Sequence, residues 1–260
     1  MAFATAFDSL AADYDRSFTT SSIGSKMRSA VWRRMDKAFH AGDRVLELNC
    51  GTGEDAVHLG GRGVRVLATD SSPEMLALTR AKVERAGLAA MADITHLAIE
   101  DLAAHGPLHS FDGVLSNFGG LNCVEDLSAV ARGLAALIRP GGRALLCVMG
   151  PAVPWEWAWF LFHGQARKAV RRLRRQGAPW RGLTIRYPSI GRVRRAFAPH
   201  FVQRRVSAVG ALLPPTFAEP WAARHPRMLA GLDRVERRVE AVWPLPWLAD
   251  HFLIELERVR

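Results

Sequence analysis

Short apolar runs alternate with helical stretches from residue 43 onward, and this alternation predicts the fold. The runs that predict β-strands lie at 43–48, 64–69, 94–99, 111–116 and 143–149. Apolar residues recur at helical spacing between them, at 54–60, at about 72–86 and at 127–137. The strands are almost continuously apolar, which is typical of parallel strands covered by helices on both faces. The chain is therefore predicted to be an α/β protein with a doubly wound sheet.

The alternation stops after Gly150, where helical and strand signals mix. Apolar residues at helical spacing predict one long helix over 155–176, and Ser189 can cap a short helix that ends at Phe197. Strand character returns at 201–209 and 251–259, with a helix around 233–242 between them. Two late strands after five α/β units predict a Rossmann-like sheet of about seven strands, with an inserted helical cap after the fifth strand.

The basic charge of the chain is concentrated in one segment. The 260 residues are 49% apolar and are expected to form a single domain. The net charge is +10, yet residues 157–218 alone hold 13 basic residues and no acidic one, while residues 1–156 are slightly acidic. A chain built throughout for nucleic acid would not have this distribution, so a nucleic-acid partner is not expected.

The cysteines and the apolar runs indicate a cytoplasmic protein. Cys50, Cys123 and Cys147 are widely spaced and form no C-x-x-C motif, so we expect reduced thiols and no metal site. No apolar run reaches the roughly eighteen residues that a membrane-spanning helix needs. The first residues carry acids where a signal peptide needs basic residues, so export is not expected.

The strongest candidate chemistry lies in a glycine-rich turn after the first strand. Gly51-Thr52-Gly53 lets the backbone pass close under a ligand, with the N–H groups of the next helix facing it. The loose fingerprint from Gly51 to Ala56, with Asp70 at the end of the second strand, would also suit NAD. Glu47 and the acidic pair Glu100-Asp101 instead favour S-adenosylmethionine, because a carboxylate at Glu47 would repel a pyrophosphate and attract a sulfonium.

Six motifs in order resemble the class I S-adenosylmethionine-dependent methyltransferases, particularly the small-molecule branch. They are VLELNCGTG (45–53), ATD (68–70), SSPEML (71–76), IEDL (99–102), FDGVLSNFG (111–119) and IRPGGRALL (138–146). The chain departs from the family at Asn49, where the turn usually has glycine. Asparagine is the residue that best replaces glycine in a left-handed backbone, so the turn is expected to survive.

The resemblance implies S-adenosyl-L-methionine as cofactor and a role for each matching residue. The methionine part would contact Glu47, Asn49, Gly51 and Gly53, with Ser116 and Asn117 at its amino-acid end. Asp70 would bind the ribose hydroxyls, with Ser71 and Met75 packed near the ribose and adenine. Glu100, Asp101 and the N–H of Leu102 would hold the adenine, and Tyr14 would close over the site. Simpler roles stay open: Asp70 as a helix cap, Glu100-Asp101 as a solvated turn, and Tyr14 as a packing anchor.

The predicted elements and the resemblance together divide the chain by function. Residues 1–40 would form N-terminal helices that close the cofactor site, and 41–150 would form the cofactor-binding core. Residues 151–182 would form the cap, and 183–260 would complete the sheet.

The aromatic run at 153–162 suggests the acceptor. Three tryptophans and two phenylalanines follow the fifth strand, where they would cover the methyl group and suit a small apolar or amphipathic acceptor of quinone, lipid or natural-product type. No catalytic base is evident, although His163 in the cap is one candidate. Two alternatives remain, an RNA methyltransferase that uses the basic segment and a non-catalytic nucleotide-binding regulator.

The predicted helix 155–176 also has the composition of a helix that lies on a membrane. Its first half is aromatic, and six basic residues fall within 167–175. A second aromatic cluster at 243–247 would add a contact if it lies on the same side. This pattern predicts peripheral contact with the inner membrane surface or with an anionic amphiphile; a solvated basic face is the alternative.

Overall fold

A seven-stranded sheet forms the centre of the protein in the computed structural model, which describes residues 7–8, 11, 14–104 and 109–259. Its strands are β1 (Arg44–Leu48), β2 (Arg65–Asp70), β3 (Ala92–His96), β4 (Phe111–Ser116), β5 (Ile138–Met149), β8 (Phe201–Val209) and β9 (His251–Arg258). The remaining two strands, β6 (Ala178–Trp180) and β7 (Leu183–Ile185), form a separate hairpin. The strand order is β3-β2-β1-β4-β5-β9-β8. The first five strands are parallel and β9 is antiparallel to both of its neighbours. The predicted fold class is confirmed.

Helices cover both faces of the sheet. They are α1 (Ser22–Ala38), α2 (Glu54–Gly60), α3 (Pro73–Arg85), α4 (Leu127–Leu137), α5 (Pro154–Phe162), α6 (Ala166–Ala169), α7 (Ile190–Phe197), α8 (Glu219–Arg224) and α9 (Pro226–Val239). Leu46 and Val114 pack in a core with α4 and α7, whereas Val45 and Leu115 pack in a second core with α1, α2 and α3. Adjacent strand residues point to opposite faces, so strands buried on both faces must be apolar at every position.

Local capping signals predict several helices well. Ser72 accepts a hydrogen bond from the N–H of Met75 and starts α3 with Pro73 at its first position, and Ser189 likewise starts α7. Asp126 caps α4, whose bounds match the prediction. The helix predicted at 233–242 instead runs from Pro226 to Val239.

The single helix predicted over 155–176 is wrong. Helix α5 ends at Phe162, and Gly164 adopts a positive φ of 70° that an α-helix does not continue through. The chain then forms only the single turn α6 and a short 3-10 turn at Arg171–Leu173 before the β6–β7 hairpin, which the sequence did not predict.

The ends of two strands also differ from the prediction. Strand β3 ends at His96, and Ile99–Ala104 forms a 3-10 helix, so Glu100, Asp101 and Leu102 lie in that helix and not at a strand end. Strand β5 begins at Ile138, which pairs with Phe111, and the register shifts before the pairing resumes at Arg143 with Gly113. Among the described residues, none of the helices combines the length and the apolar character needed to cross a membrane.

Candidate active site

A cavity of about 560 Å³ lies at the carboxyl edge of the parallel strands. Asn49 and Gly51 follow β1, Asp70 ends β2, and Asn117 follows β4, and all four residues line the cavity. Strands β2 and β4 lie on opposite sides of β1, so the chain connections leave this edge in two directions. Such a switch point is where open α/β sheets bind their ligands.

The glycine-rich turn has the left-handed backbone that its sequence predicts. Asn49, Gly51 and Gly53 have φ values of 50°, 56° and 82°. Asn49 fits because its neighbour Gly120 has no side chain: a Cβ at Gly120 would lie 2.1 Å from Asn49 Cγ. The Asn49 amide also donates to the Asn117 carbonyl at 2.7 Å and accepts from the Ser116 hydroxyl at 2.7 Å. The substitution therefore joins the turn to the end of β4.

Asp70 holds the turn against the end of β2. Its carboxylate accepts hydrogen bonds from the N–H of Gly51 at 3.0 Å and from the N–H of Ser72 at 2.9 Å. Burial raises its pKa, and the backbone N–H groups that it accepts from oppose this rise. Because Ser72 provides the side-chain cap of α3, Asp70 is not needed for that task and faces the cavity.

The predicted cofactor residues divide into two groups. The residues on the cavity wall are Tyr14, Asn49, Gly51, Asp70, Ser71, Met75, Glu100 and Asn117. The residues that are not on the wall are Glu47, Gly53, Asp101, Leu102 and Ser116. At the 3-10 helix, Glu100 faces the cavity, while Asp101 is exposed elsewhere and the Leu102 side chain is buried in the core. The cofactor contacts of all these residues stay predictions.

Glu47 differs from the expectation that was based on its charge. Its side chain is 1% exposed, and Oε2 has no hydrogen-bond partner. Burial, together with the nearby carboxylates of Asp55 and Asp70, raises its pKa well above the usual range. Burial therefore favours the protonated form of the carboxyl group, and the predicted contact between Glu47 and the sulfonium stays a prediction.

A buried ion pair beside the cavity was missed by the sequence reasoning. The Arg28 guanidinium donates to the Asp55 carboxylate at 2.9 Å, and both residues line the cavity. Asp55 also accepts from the Trp32 indole at 2.6 Å and from the Asn117 amide at 2.8 Å. The guanidinium lies 5.0 Å from the centre of the Phe118 ring. The position of Asp55 directly after the glycine-rich turn is the one signal that the sequence offered.

The segment before α1 is attached to the glycine-rich turn. The Asp15 carboxylate accepts from the Thr52 hydroxyl at 2.5 Å and pairs with Lys82 at 2.6 Å. Tyr14 lies on the cavity wall next to Asp15, and burial raises the pKa of its phenol. This placement is compatible with the predicted closing role of Tyr14.

The remaining wall comes from the cap hairpin and from β9. Trp180, Ile185, Tyr187 and His251 line this part of the cavity together with Met149 at the end of β5. The expectation that the 153–162 run covers the reacting group is wrong, since none of its residues is on the wall and Phe162 is 88% exposed. His163 also lies outside the wall and is exposed.

Comparisons with known proteins agree with this architecture. Residues 45–142 match the family described as methyltransferase domain. The chain is 33% identical over 151 residues to a demethylmenaquinone methyltransferase of Clavibacter sepedonicus, a match that spans 57% of this chain and 58% of the relative. It is 36% identical over 147 residues to one of Mycobacterium marinum, spanning 55% of this chain and 58% of that relative. The matched region thus covers less than two thirds of these relatives.

A solved structure gives the same fold over most of the chain. The S-adenosylmethionine-dependent methyltransferase of Mesorhizobium loti superimposes with a TM-score of 0.57 at 19% identity, covering 92% of this chain and 99% of the other. At this identity the likeness concerns the fold. The predicted resemblance to methyltransferases is confirmed for residues 45–142 by the domain match, and the sheet order and the superposition show the same fold over most of the chain.

Proposed function

We propose that the protein transfers a methyl group from S-adenosylmethionine to a small, largely apolar or amphipathic acceptor. The observation that carries this proposal is the cavity at the carboxyl edge of the sheet, where one part is polar and another is largely apolar. When bound, S-adenosylmethionine supplies a methyl group activated by positively charged sulfur.

The residues of the polar part fit this cofactor. Asp70 offers a buried carboxylate at the end of β2, where it would accept hydrogen bonds from the ribose hydroxyls. Arg28 offers a buried guanidinium, which would face the carboxylate of the methionine part. Met75 and Ile99 supply apolar surface for the adenine, and Glu100 supplies an acceptor for its amino group. Gly51, where a side chain would meet only open space, allows close approach of the ligand to the backbone.

The acceptor class is supported by the other part of the wall. Its aromatic and apolar side chains, among them Trp180, Ile185 and Tyr187, suit a flat ring or an acyl surface. The relatives described above are demethylmenaquinone methyltransferases, and a quinone-like acceptor agrees with this lining. We therefore place quinones and quinols first among the acceptors to be tested, before lipids and polyketides.

Peripheral contact with an anionic membrane is part of this proposal. The most exposed apolar side chains of the cap are Leu161, Phe162, Val170 and Leu173, with exposures of 58%, 88%, 50% and 53%. Exposed basic residues lie among them at Arg167, Lys168, Arg174 and Arg175. We call these eight residues the cap surface. Apolar side chains that enter the headgroup boundary beside cations that meet phosphates are typical of a membrane-binding surface. Arg171, from the same segment, lines the cavity, so an amphipathic acceptor would have a short path from the bilayer.

Calorimetry combined with a turnover assay tests the function. Titrations with S-adenosylmethionine, S-adenosylhomocysteine and NAD are expected to give binding of the first two ligands only. Production of S-adenosylhomocysteine is then measured with quinone, lipid and polyketide extracts. Binding of NAD alone would overturn the proposal, and cofactor binding without turnover on any extract would favour a regulator. Steep salt-dependent retention of RNA in filter binding, with methylation of that RNA, would favour the RNA methyltransferase.

A further inference from the structure

We propose that His251 is the general base of the methyl transfer and that the acceptor reacts through a hydroxyl group that loses its proton to this imidazole. The inference rests on the proposed function, because it concerns the acceptor part of the same cavity. It adds a catalytic residue that the sequence did not indicate, and it narrows the acceptor to phenols, quinols or related hydroxyl compounds.

The topology of the sheet brings His251 to the reacting edge. Strand β9 is antiparallel to β5, so its first residue lies at the carboxyl edge of the parallel strands. His251 pairs with Met149 across the two strands, and both residues line the cavity. The imidazole is buried, with 6% of the residue exposed, and meets the Phe118 ring edge to face at 5.4 Å between ring centres.

The position of His251 along the sheet suits an acceptor site. Neighbouring strands lie about 4.8 Å apart, so β2 and β9, four strand positions apart in the sheet, are separated by about 19 Å. Asp70 at the end of β2 therefore marks one end of the cavity and His251 the other. A cofactor held at Asp70 by its ribose would extend its methionine part past Asn49 and Asn117, toward β9.

Asp250 lies beside the imidazole of His251. Its Oδ2 is 3.0 Å from His251 Nδ1, a close contact between the carboxylate and the ring. The other oxygen accepts from the Arg172 guanidinium at 2.6 Å. Burial alone would raise the pKa of Asp250, but Arg172 and His251 hold it well below the usual range, so the carboxylate stays ionised. An ionised carboxylate at Nδ1 stabilises the imidazolium and leaves Nε2 for the acceptor.

Several other titratable groups on the described wall are poorly suited to this task. Burial raises the pKa of the Cys123 thiol to about 12 and raises those of the Tyr14 and Tyr187 phenols. Asp70 accepts two backbone hydrogen bonds at the far end of the cavity, and Asp55 is paired with Arg28. An imidazole is the side chain that most often serves as a general base in enzymes.

The step balances with these groups alone. The acceptor hydroxyl gives its proton to Nε2 of His251, and the resulting anion forms a bond to the methyl carbon through its oxygen or through a conjugated ring carbon. The carbon–sulfur bond breaks, and its electron pair stays on the sulfur of the departing S-adenosylhomocysteine. In total one proton on the acceptor is replaced by one methyl group, and the proton then leaves the imidazolium to solvent.

The test compares His251→Asn with His163→Asn, which changes an exposed histidine of the cap outside the cavity wall. Calorimetry with S-adenosylhomocysteine first establishes that each variant is folded and binds the cofactor product. Absorbance of 1-naphthol added to each S-adenosylhomocysteine complex then reports whether the bound phenol ionises. We expect a larger naphtholate fraction in the wild type and in His163→Asn than in His251→Asn.

Methyl transfer provides the second readout. With 1-naphthol or a quinol as acceptor, we expect His251→Asn to lower kcat about 10²-fold or more, with little change in KM for S-adenosylmethionine. The variant should also lose the acidic limb of the pH–rate profile. The pH–rate profile also depends on the charged and titratable groups around the imidazole. These groups are Asp250, Arg172, Glu156, Tyr187, Arg28 and Asp55.

The outcomes separate this proposal from the proposed function. Absence of S-adenosylmethionine binding in the wild type would overturn the function and the base together. Intact cofactor binding, with equal naphthol ionisation and equal kcat in wild type and His251→Asn, would overturn the base alone. The assignment of His251 as the base would also be overturned by a wild-type protein that methylates amines or thiols but binds no hydroxylated acceptor.

Discussion

The Arg28 guanidinium donates a 2.9 Å hydrogen bond to the Asp55 carboxylate, with only 7% and 3% of the two residues exposed. This pair joins α1 to the first turn of α2, next to the glycine-rich turn. Removal of one partner of a buried ion pair leaves the other charge without compensation. Arg28→Met is therefore expected to lower the free energy of unfolding by about 3–5 kcal/mol, as measured by urea denaturation.

Arg33→Met is the matched control for this prediction. Arg33 lies on the same helix and pairs with Glu240 at 3.2 Å, but its side chain is 32% exposed. Partly exposed pairs contribute about 1 kcal/mol or less, so the control should lose little stability. Equal losses in the two variants would mean that Asp55 is sufficiently stabilised by Trp32 and Asn117.

Glu47→Gln tests whether burial raises the pKa of this carboxyl group. The folded pKa of Glu47 is raised above its ordinary 4.5, so below pH 4.5 it is protonated in the folded and unfolded states alike. As the pH rises above 4.5, only the unfolded chain releases this proton, and the wild type loses stability by up to about 1.4 kcal/mol per pH unit until the folded pKa is reached. The glutamine variant lacks this loss.

The stability difference between Glu47→Gln and wild type should therefore grow in favour of the variant as the pH rises from 4.5 toward neutral. Urea denaturation at several pH values measures it. Glu84→Gln, which changes an exposed residue of α3, provides the comparison. A constant difference across this range would contradict burial of a neutral Glu47.

Asp70→Asn is expected to weaken S-adenosylmethionine binding by about 1.5–3 kcal/mol, because it removes a charged acceptor from the proposed ribose contact. Calorimetry measures the change, with Asp93→Asn on the exposed side of β3 as control. A thermal melt of each variant is needed as well, since Asp70 also accepts from Gly51 and Ser72. Unchanged affinity in a folded Asp70→Asn protein would place the ribose elsewhere.

Phe162→Ser is expected to reduce binding to anionic vesicles, because Phe162 is the most exposed apolar residue of the cap surface. Each basic residue near an anionic membrane contributes about 1 kcal/mol, so attachment should also weaken as salt is added. Co-sedimentation with neutral and with phosphatidylserine-containing vesicles at two salt concentrations measures both effects. Val235→Ser on α9, where Val235 is 47% exposed, is the control. Equal and negligible binding to both vesicles would exclude the membrane contact.

Local sequence determined the fold class and part of the cavity wall. Buried strands need apolar residues at every position, and the caps Ser72, Asp126 and Ser189 act on N–H groups two or three residues away. The glycine-rich turn and Asp70 also belong to short motifs, since their backbone angles and strand-end position are properties of a few consecutive residues. These features could be predicted because their physical causes lie within one or two elements.

Contacts between residues that are far apart in the sequence decided the other features of the structure. The cap is a broken helix because Gly164 interrupts it and because Arg172 pairs with Glu156 and Asp250, the latter 78 residues away. The pKa of Glu47 is raised because the surrounding layers exclude water from its carboxyl group. Arg28 met Asp55 through the packing of α1 on the sheet, and His251 reached the cavity because β9 inserts antiparallel between β5 and β8. Desolvation and long-range pairing depend on which segments meet in space, and the order of residues along the chain does not specify this locally.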